Sequence, residues 1–251
     1  MPTQSHTSNN SHGTPRERIL YTRECFQLMA DFLILIRSGS TDFDLQGRIC
    51  GTLDIPLSEV GIAEAHALAA RLNAGATALA IPMAPPVAIY SSTAACAQET
   101  SQIIGKAIGL SPRRIADFQN LDQGLWQGML VEDIRRKQPR VYRQWQENPW
   151  AVVPPEGELL EHACSRVEAI LEKLWKRHAG ESIALVVPEP LDRIVRWLTA
   201  GESMGDLWSR DAQREPLVEL PLASQWNQPE PQRAGSERPE KRWAHRHTAT
   251  G

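Results

Sequence analysis

The run Phe32-Leu33-Ile34-Leu35-Ile36, followed at once by Arg37-Ser38-Gly39-Ser40-Thr41, decides the fold. Consecutive apolar residues without polar alternation make a strand with both faces buried, as in a parallel sheet covered by helices. The small and polar residues that follow end the strand. Two further runs read the same way, Val87–Tyr90 and Ile183–Val187. Each of the three is followed by a break and then a helical pattern. Ser58–Leu72 places Ile62, Ala65, Leu68, Ala69 and Leu72 at helical spacing behind Ser58, a side chain suited to capping the first turn. Ala94–Ile108 stops at Gly109, and Leu191–Thr199 stops near Gly201. Two more helices fit Val131–Gln146 and Glu158–His178, with a turn at Pro154-Pro155-Glu156-Gly157 between them. Strands alternating with helices predict an α/β domain of three layers, α/β/α, with a mainly parallel central sheet.

In such a domain ligands bind beyond the carboxyl ends of the strands. The residues there are Arg37-Ser38-Gly39-Ser40-Thr41, Ser91-Ser92-Thr93-Ala94-Ala95-Cys96-Ala97 and Pro188-Glu189-Pro190. Downstream of the first strand stand Gly47-Arg48-Ile49-Cys50-Gly51 and Leu53-Asp54-Ile55-Pro56-Leu57-Ser58-Glu59-Val60-Gly61. Tyr90-Ser91-Ser92, Gly124-Leu125-Trp126-Gln127-Gly128 and Pro154-Pro155-Glu156-Gly157-Glu158 follow in order. From about Leu33 to Gly201 this succession resembles the histidine phosphatase superfamily, whose fold is phosphoglycerate mutase-like. One such motif alone is commonplace; the ordered set is specific.

The resemblance implies a particular chemistry. In the family an imidazole attacks a phosphoryl group, two arginines and a second histidine hold its oxygens, and a carboxyl group protonates the leaving oxygen. Carried over position by position, Arg37 and Gly39 remain as a residual phosphate pocket. The nucleophile's place holds Ser38, the second arginine's Cys96, the acid's Asn120 and the second histidine's Glu189. Asp44 stands where an amide is common, and Asp44, Cys50 and Asp122 are possible accessory residues. The set implies a catalytically impaired member, a pseudophosphatase that binds a partner protein or a non-phosphate small molecule. The alternative is an active phosphomonoester hydrolase or mutase using a relocated catalytic group.

The residues weigh against relocation. A serine nucleophile at 38 needs an adjacent base, and no histidine falls at a pocket position: His66, His162 and His178 read as surface residues of helices. Cys96 lacks the Cys-x5-Arg loop of cysteine phosphatases, position 102 being Gln102. A single arginine facing Glu189 makes a poor dianion site. One misplaced charge at about 4 Å and an effective dielectric of about 20 shifts binding by about 4 kcal/mol. A semi-buried Arg37 without phosphate needs another anion, so an Arg37–Glu189 pair is expected, shared with Asp44 or Asp122. Trp126, Trp145, Trp150, Trp175 and Trp197 read as packing residues.

Composition sets the rest. A formal net charge of -3 over 251 residues gives no basic field for nucleic acid. Cys25, Cys50, Cys96 and Cys164 form no CxxC pair, which favours reduced thiols in the cytoplasm over a zinc site or a disulfide scaffold. No metal and no cofactor are expected. The apolar stretch Cys25–Ile36 is shorter than the roughly 20 residues that span a bilayer, so no membrane span is read. The expected organisation is a disordered tail over 1–15, an N-terminal extension over 16–30, the domain over 31–210 and a mostly disordered tail over 211–251. Within that tail Val218–Leu222 is able to add an edge strand. Met29 is a second candidate start, and the oligomeric state and the partner are not legible.

Overall fold

The structure is a computed structural model that describes residues 32–74, 85–208 and 214–221. The expected tail over 1–15, the extension over 16–30 and the segment after 221 lie outside the described residues. The apolar runs form strands β1 (Phe32–Arg37), β2 (Ala88–Ser91) and β4 (Ile183–Val187). A two-residue strand β3 (Arg113–Arg114) and a fifth, β5 (Leu217–Pro221), complete one sheet in the order β3-β2-β4-β1-β5. Strand β4 is parallel to β1 and β2, and β3 is parallel to β2. In register, Arg37 lies beside Val187 and Ser91 beside Val186, so the carboxyl ends of the three long strands meet at one edge.

The absence of alternation has its expected cause. Leu33 and Leu35 pack on one side of the sheet with Trp126, Trp145, Val167 and Leu171, and Ile34 and Ile36 pack on the other with Leu68, Ala69, Ala97 and Ile104. Successive side chains point to opposite faces, and here both faces are covered. The covering helices are α1 (Asp42–Gln46), α2 (Glu59–Asn73), α3 (Ala95–Ile108), α4 (Val131–Lys137), α5 (Pro139–Glu147), α6 (Leu160–Arg177) and α7 (Leu191–Ala200). Ser58 caps α2 by accepting from Gly61 N, and Gly109 and Gly201 end α3 and α7 in the left-handed conformation. No helix among the described residues is long and apolar enough to cross a membrane.

Two expectations are corrected. The helix expected over Val131–Gln146 is broken: Gln138 leaves helical geometry (φ -132, ψ 55) and Pro139 opens a new helix. A residue before proline is pushed out of the α region by the pyrrolidine ring. The domain also does not stop at 210. Leu217–Pro221 runs antiparallel to β1, pairing Leu217 with Ile36 and Pro221 with Phe32, and Leu220 is buried in the core.

Candidate functional site

The cleft at the carboxyl ends of the strands gathers most of the residues read from the sequence. Arg37 ends β1, and Ser38 continues from it with its backbone N–H donating to Val187 O at 2.8 Å. Ser38 Oγ lies 3.5 Å from Cys96 Sγ in the first turn of α3. Gly39 sits against the start of α2 so closely that a Cβ there would collide with the Gly61 carbonyl. That approach needs glycine at 39, and the Gly39 N–H donates to Thr100 Oγ1 at 3.1 Å. Asn120 Nδ2 donates to Gly51 O at 3.0 Å and Glu189 O at 3.1 Å, tying the loop after β3 to the end of β4.

Glu189 reaches back across the cleft. Its Oε2 is 3.7 Å from Arg37 Nη1, with side chains 6% and 8% exposed. Its Oε1 accepts from Arg193 Nε at 2.9 Å and Nη2 at 2.6 Å. The third member of the expected pair is therefore Arg193, one helical turn along α7. Arg193 also donates from Nη1 to Met204 O at 3.1 Å and Asp206 O at 2.6 Å, fastening the loop after α7 to the site. Asp122 does not join. Its carboxylate accepts from Gly124 N at 2.9 Å and caps the turn leading into the 3-10 helix Gly124–Trp126.

Three further N–H groups around the cleft donate to carboxylates. The first N–H of α3, at Ala95, donates to Asp54 Oδ1 at 2.8 Å. Ser40 N donates to Glu64 Oε2 at 2.7 Å. Asp44 Oδ2 accepts from Thr41 N and Thr41 Oγ1, both at 2.7 Å, in a capping box on α1. Cys50 lies 3.5 Å from Thr41 Oγ1. What is left between Ser38, Cys96, Asn120 and Glu189 is a cavity of about 10 Å³, room for about one water molecule. Among the described residues no group of three or more His, Cys, Asp and Glu is placed to hold a metal ion.

Burial sets the protonation of two groups. It pushes the Cys96 thiol up to about 11, against a smaller opposing effect of the Ser38 hydrogen bond, so this sulfur is a neutral thiol near pH 7. Asp192, wholly buried in the first turn of α7, is pushed up to about 6 by burial and then by Glu189, with Arg37, Arg196 and Arg193 opposing. Arg196 Nε stands 3.7 Å from it. Arg193, Asp192 and Arg196 were not among the residues singled out from the sequence. The signal for them was present as two i,i+4 pairs, 189/193 and 192/196.

The histidines divide. His66 and His162 are exposed as expected. His178 is a correction: it is buried, bonded through Nε2 to Tyr90 OH at 2.8 Å and through Nδ1 to Glu181 Oε2 at 2.8 Å. It ends α6, and its ring meets the Tyr90 ring edge-on at 5.7 Å, so a tertiary contact buries this helix terminus. The tryptophans pack. Trp208, not read from the sequence, stacks on Trp145 at 4.8 Å and meets Trp126 edge-on at 5.0 Å.

A model of the histidine phosphatase superfamily (branch 1) matches residues 33–214. The chain belongs to that superfamily. Among its relatives is phosphoserine phosphatase 1 of Hydrogenobacter thermophilus, 31% identical over 177 residues, which cover 70% of this chain and 80% of the relative. The metal-independent phosphoserine phosphatase of Arabidopsis thaliana is 29% identical, over 61% of this chain and 62% of its own length. A solved mycobacterial glucosyl-3-phosphoglycerate phosphatase in complex with VO3 superposes with a TM-score of 0.63 at 22% identity, over 76% of this chain and 90% of that one. YhfR of Bacillus stearothermophilus gives the same score at 24% identity, over 76% and 90%. At these identities the structural matches speak for the superfamily fold.

Proposed function

We propose that this histidine phosphatase superfamily chain is a pseudophosphatase, which has exchanged phosphoryl transfer for binding a partner protein or an uncharged ligand. The observation that carries the reading is the Glu189 carboxylate held between Arg37 and Arg193. An internal anion takes the place of a bound phosphate and confronts any incoming one with like charge. The small volume of the cleft, about 10 Å³, supports it. The Ser38 hydroxyl is hydrogen-bonded to Cys96 Sγ, and a thiol raised to about 11 supplies little thiolate at neutral pH. The names of the relatives favour a second reading, a phosphomonoester hydrolase acting through a relocated group. Ser38 and Cys96 are its candidates.

The test is an assay of the purified protein against p-nitrophenyl phosphate and a panel of phosphomonoesters, with Ser38→Ala and Cys96→Ser beside it. The pseudophosphatase reading expects no turnover above buffer. Turnover abolished by either substitution establishes the second reading instead.

A further inference from the structure

A strongly basic stretch lies on α4 and α5. Between positions 132 and 143 five cations, Arg135, Arg136, Lys137, Arg140 and Arg143, stand against two acids, Glu132 and Asp133, in a chain of formal net charge -3. All five cations are exposed, and none of them lines the cleft. We propose that this surface docks an acidic polypeptide segment, a run of aspartate and glutamate side chains on a partner protein. The inference rests on the reading that the chain has exchanged catalysis for binding, and it names the surface and the chemistry of the partner.

The needs of the two helices do not account for these charges. In α4 the order is the ordinary one, acids in the first turn and cations in the last. Arg135 pairs with Glu132 at 2.6 Å, Arg136 with Asp133 at 3.1 Å and Lys137 with Asp133 at 3.7 Å. Exposed pairs of this kind are worth at most about 1 kcal/mol, so they exchange readily for another carboxylate. In α5 the order is reversed: Arg140 stands in a first turn that has no acid and no side-chain cap, where a cation opposes the helix dipole. Arg140, Arg143 and Gln144 share the outward stripe of α5, while Tyr142 and Trp145 turn inward and stack on Trp208 at 6.0 and 4.8 Å. Among the described residues neither Arg140 nor Arg143 makes an ion pair or a side-chain hydrogen bond.

The surroundings select the partner. A membrane surface asks for exposed apolar side chains beside the cations, and none of the exposed large hydrophobic residues lies on α4 or α5. Nucleic-acid strands ask for exposed rings on which bases stack, and here both rings of α5 are committed to Trp208. Carboxylates fit what remains. A guanidinium fork takes a carboxylate through two parallel hydrogen bonds. Arg140 and Arg143 start from Cβ atoms about 5–6 Å apart, and an extended peptide sets alternate side chains about 7 Å apart, so one strand of acidic residues engages both.

The experiment is a fluorescence-anisotropy titration of a labelled oligo-glutamate peptide with the full-length protein at about 0.15 M salt. Saturable binding is expected, weakened about tenfold, or about 1.4 kcal/mol, in the double variant Arg140→Gln with Arg143→Gln. The control, Arg113→Gln with Arg114→Gln, removes the same charge from the exposed strand β3 and is expected to bind as the parent does. Backbone amide shifts in the 15N-labelled parent locate the peptide without any variant, and they are expected at residues 135–143. The proposal is overturned if no saturable binding occurs, if the two double variants lose affinity equally, or if the shifts fall elsewhere. Tighter binding of oligodeoxythymidylate or of phosphatidylserine vesicles through Arg140 and Arg143 also overturns it, in favour of a nucleic-acid or a membrane surface. Its failure is separable from that of the pseudophosphatase reading. Phosphatase turnover with intact peptide binding refutes only the latter, and an inert protein that ignores the peptide refutes only the former.

Discussion

Arg37 and Glu189 face each other across the cleft at 3.7 Å, one at the end of β1 and the other just past β4, with Arg193 completing the bridge at 2.6 Å. Glu189→His removes the carboxylate and leaves two buried guanidinium groups without it. Breaking a buried pair in this way costs about 3–5 kcal/mol. The variant is expected to unfold at lower urea concentration than the parent and to gain affinity for vanadate. Unchanged unfolding together with unchanged vanadate binding would show that the bridge neither supports the fold nor guards the cleft.

Asp192 makes stability depend on pH with a definite sign. Its folded pKa of about 6 lies above the ordinary 3.8, so the folded state holds a proton that the unfolded chain releases. This contribution is fully present below about pH 3.8 and is lost as pH rises through about 6, a change of about 3 kcal/mol at 1.36 kcal/mol per pKa unit. Asp192→Asn should flatten that part of the stability profile. Parallel wild-type and variant profiles between pH 4 and 7, measured by chemical denaturation, would mean that Asp192 does not titrate there.

Thiol reactivity should follow burial. Cys96 and Cys164 are buried and Cys50 is only partly so, and the Cys96 thiol is held neutral well above pH 8. Iodoacetamide at pH 8 on the folded protein is therefore expected to modify Cys50 well before Cys96 or Cys164. Peptide mapping by mass spectrometry reads the order. Early labelling of Cys96 would reopen it as a nucleophile.

Arg166 of α6 holds the loop that carries Asn120. It donates to Asp117 O at 3.2 Å, Gln119 O at 2.7 Å and Asn120 O at 3.0 Å, and pairs with Glu158 at 2.7 Å. Arg166→Ala should destabilise by about 2–3 kcal/mol. Arg166→Lys should recover little, because one ammonium cannot reproduce the planar fork. Full recovery by lysine in an equilibrium unfolding experiment would reduce the role of Arg166 to its charge.

The strands were legible because β1, β2 and β4 are covered on both faces, which leaves their runs apolar without alternation. Ser58 and Gly109 were legible because caps depend on local chemistry. The break at Gln138-Pro139 was not read, although Pro139 signals it, because Val131, Ile134, Val141 and Trp145 keep a helical spacing across it. The edge strand Leu217–Pro221 sits in a stretch whose proline and glutamate content reads as tail; the apolar residues of Val218–Leu222 marked it as able to add an edge strand, and its antiparallel pairing with β1 places it one residue earlier. In the cleft, the positions of Ser38, Cys96, Asn120 and Glu189 followed from motif spacing. Arg193, Asp192 and Arg196 did not, because charged residues on a helix are ordinarily assigned to solvent. Here α7 is enclosed on nearly every side, so Asp192, Arg193 and Arg196 are turned into the protein rather than into solvent. Trp208 and His178 depend on tertiary neighbours that no local pattern specifies.

The position of β1 between β4 and β5 also sets a timetable. Its partners are β4, about 150 residues downstream (Leu33 beside Ile183), and β5, which ends at Pro221. A chain emerging from the ribosome therefore presents Phe32–Ile36 long before either neighbour has been made. During that interval the most apolar strand of the domain has both of its hydrogen-bonding edges open, the condition under which chains pair with one another instead of with themselves. Such non-local pairing is also slow to form once synthesis ends. Chaperone demand and yield on expression should thus be governed by the first strand and the last, although neither edge is open once the sheet is complete.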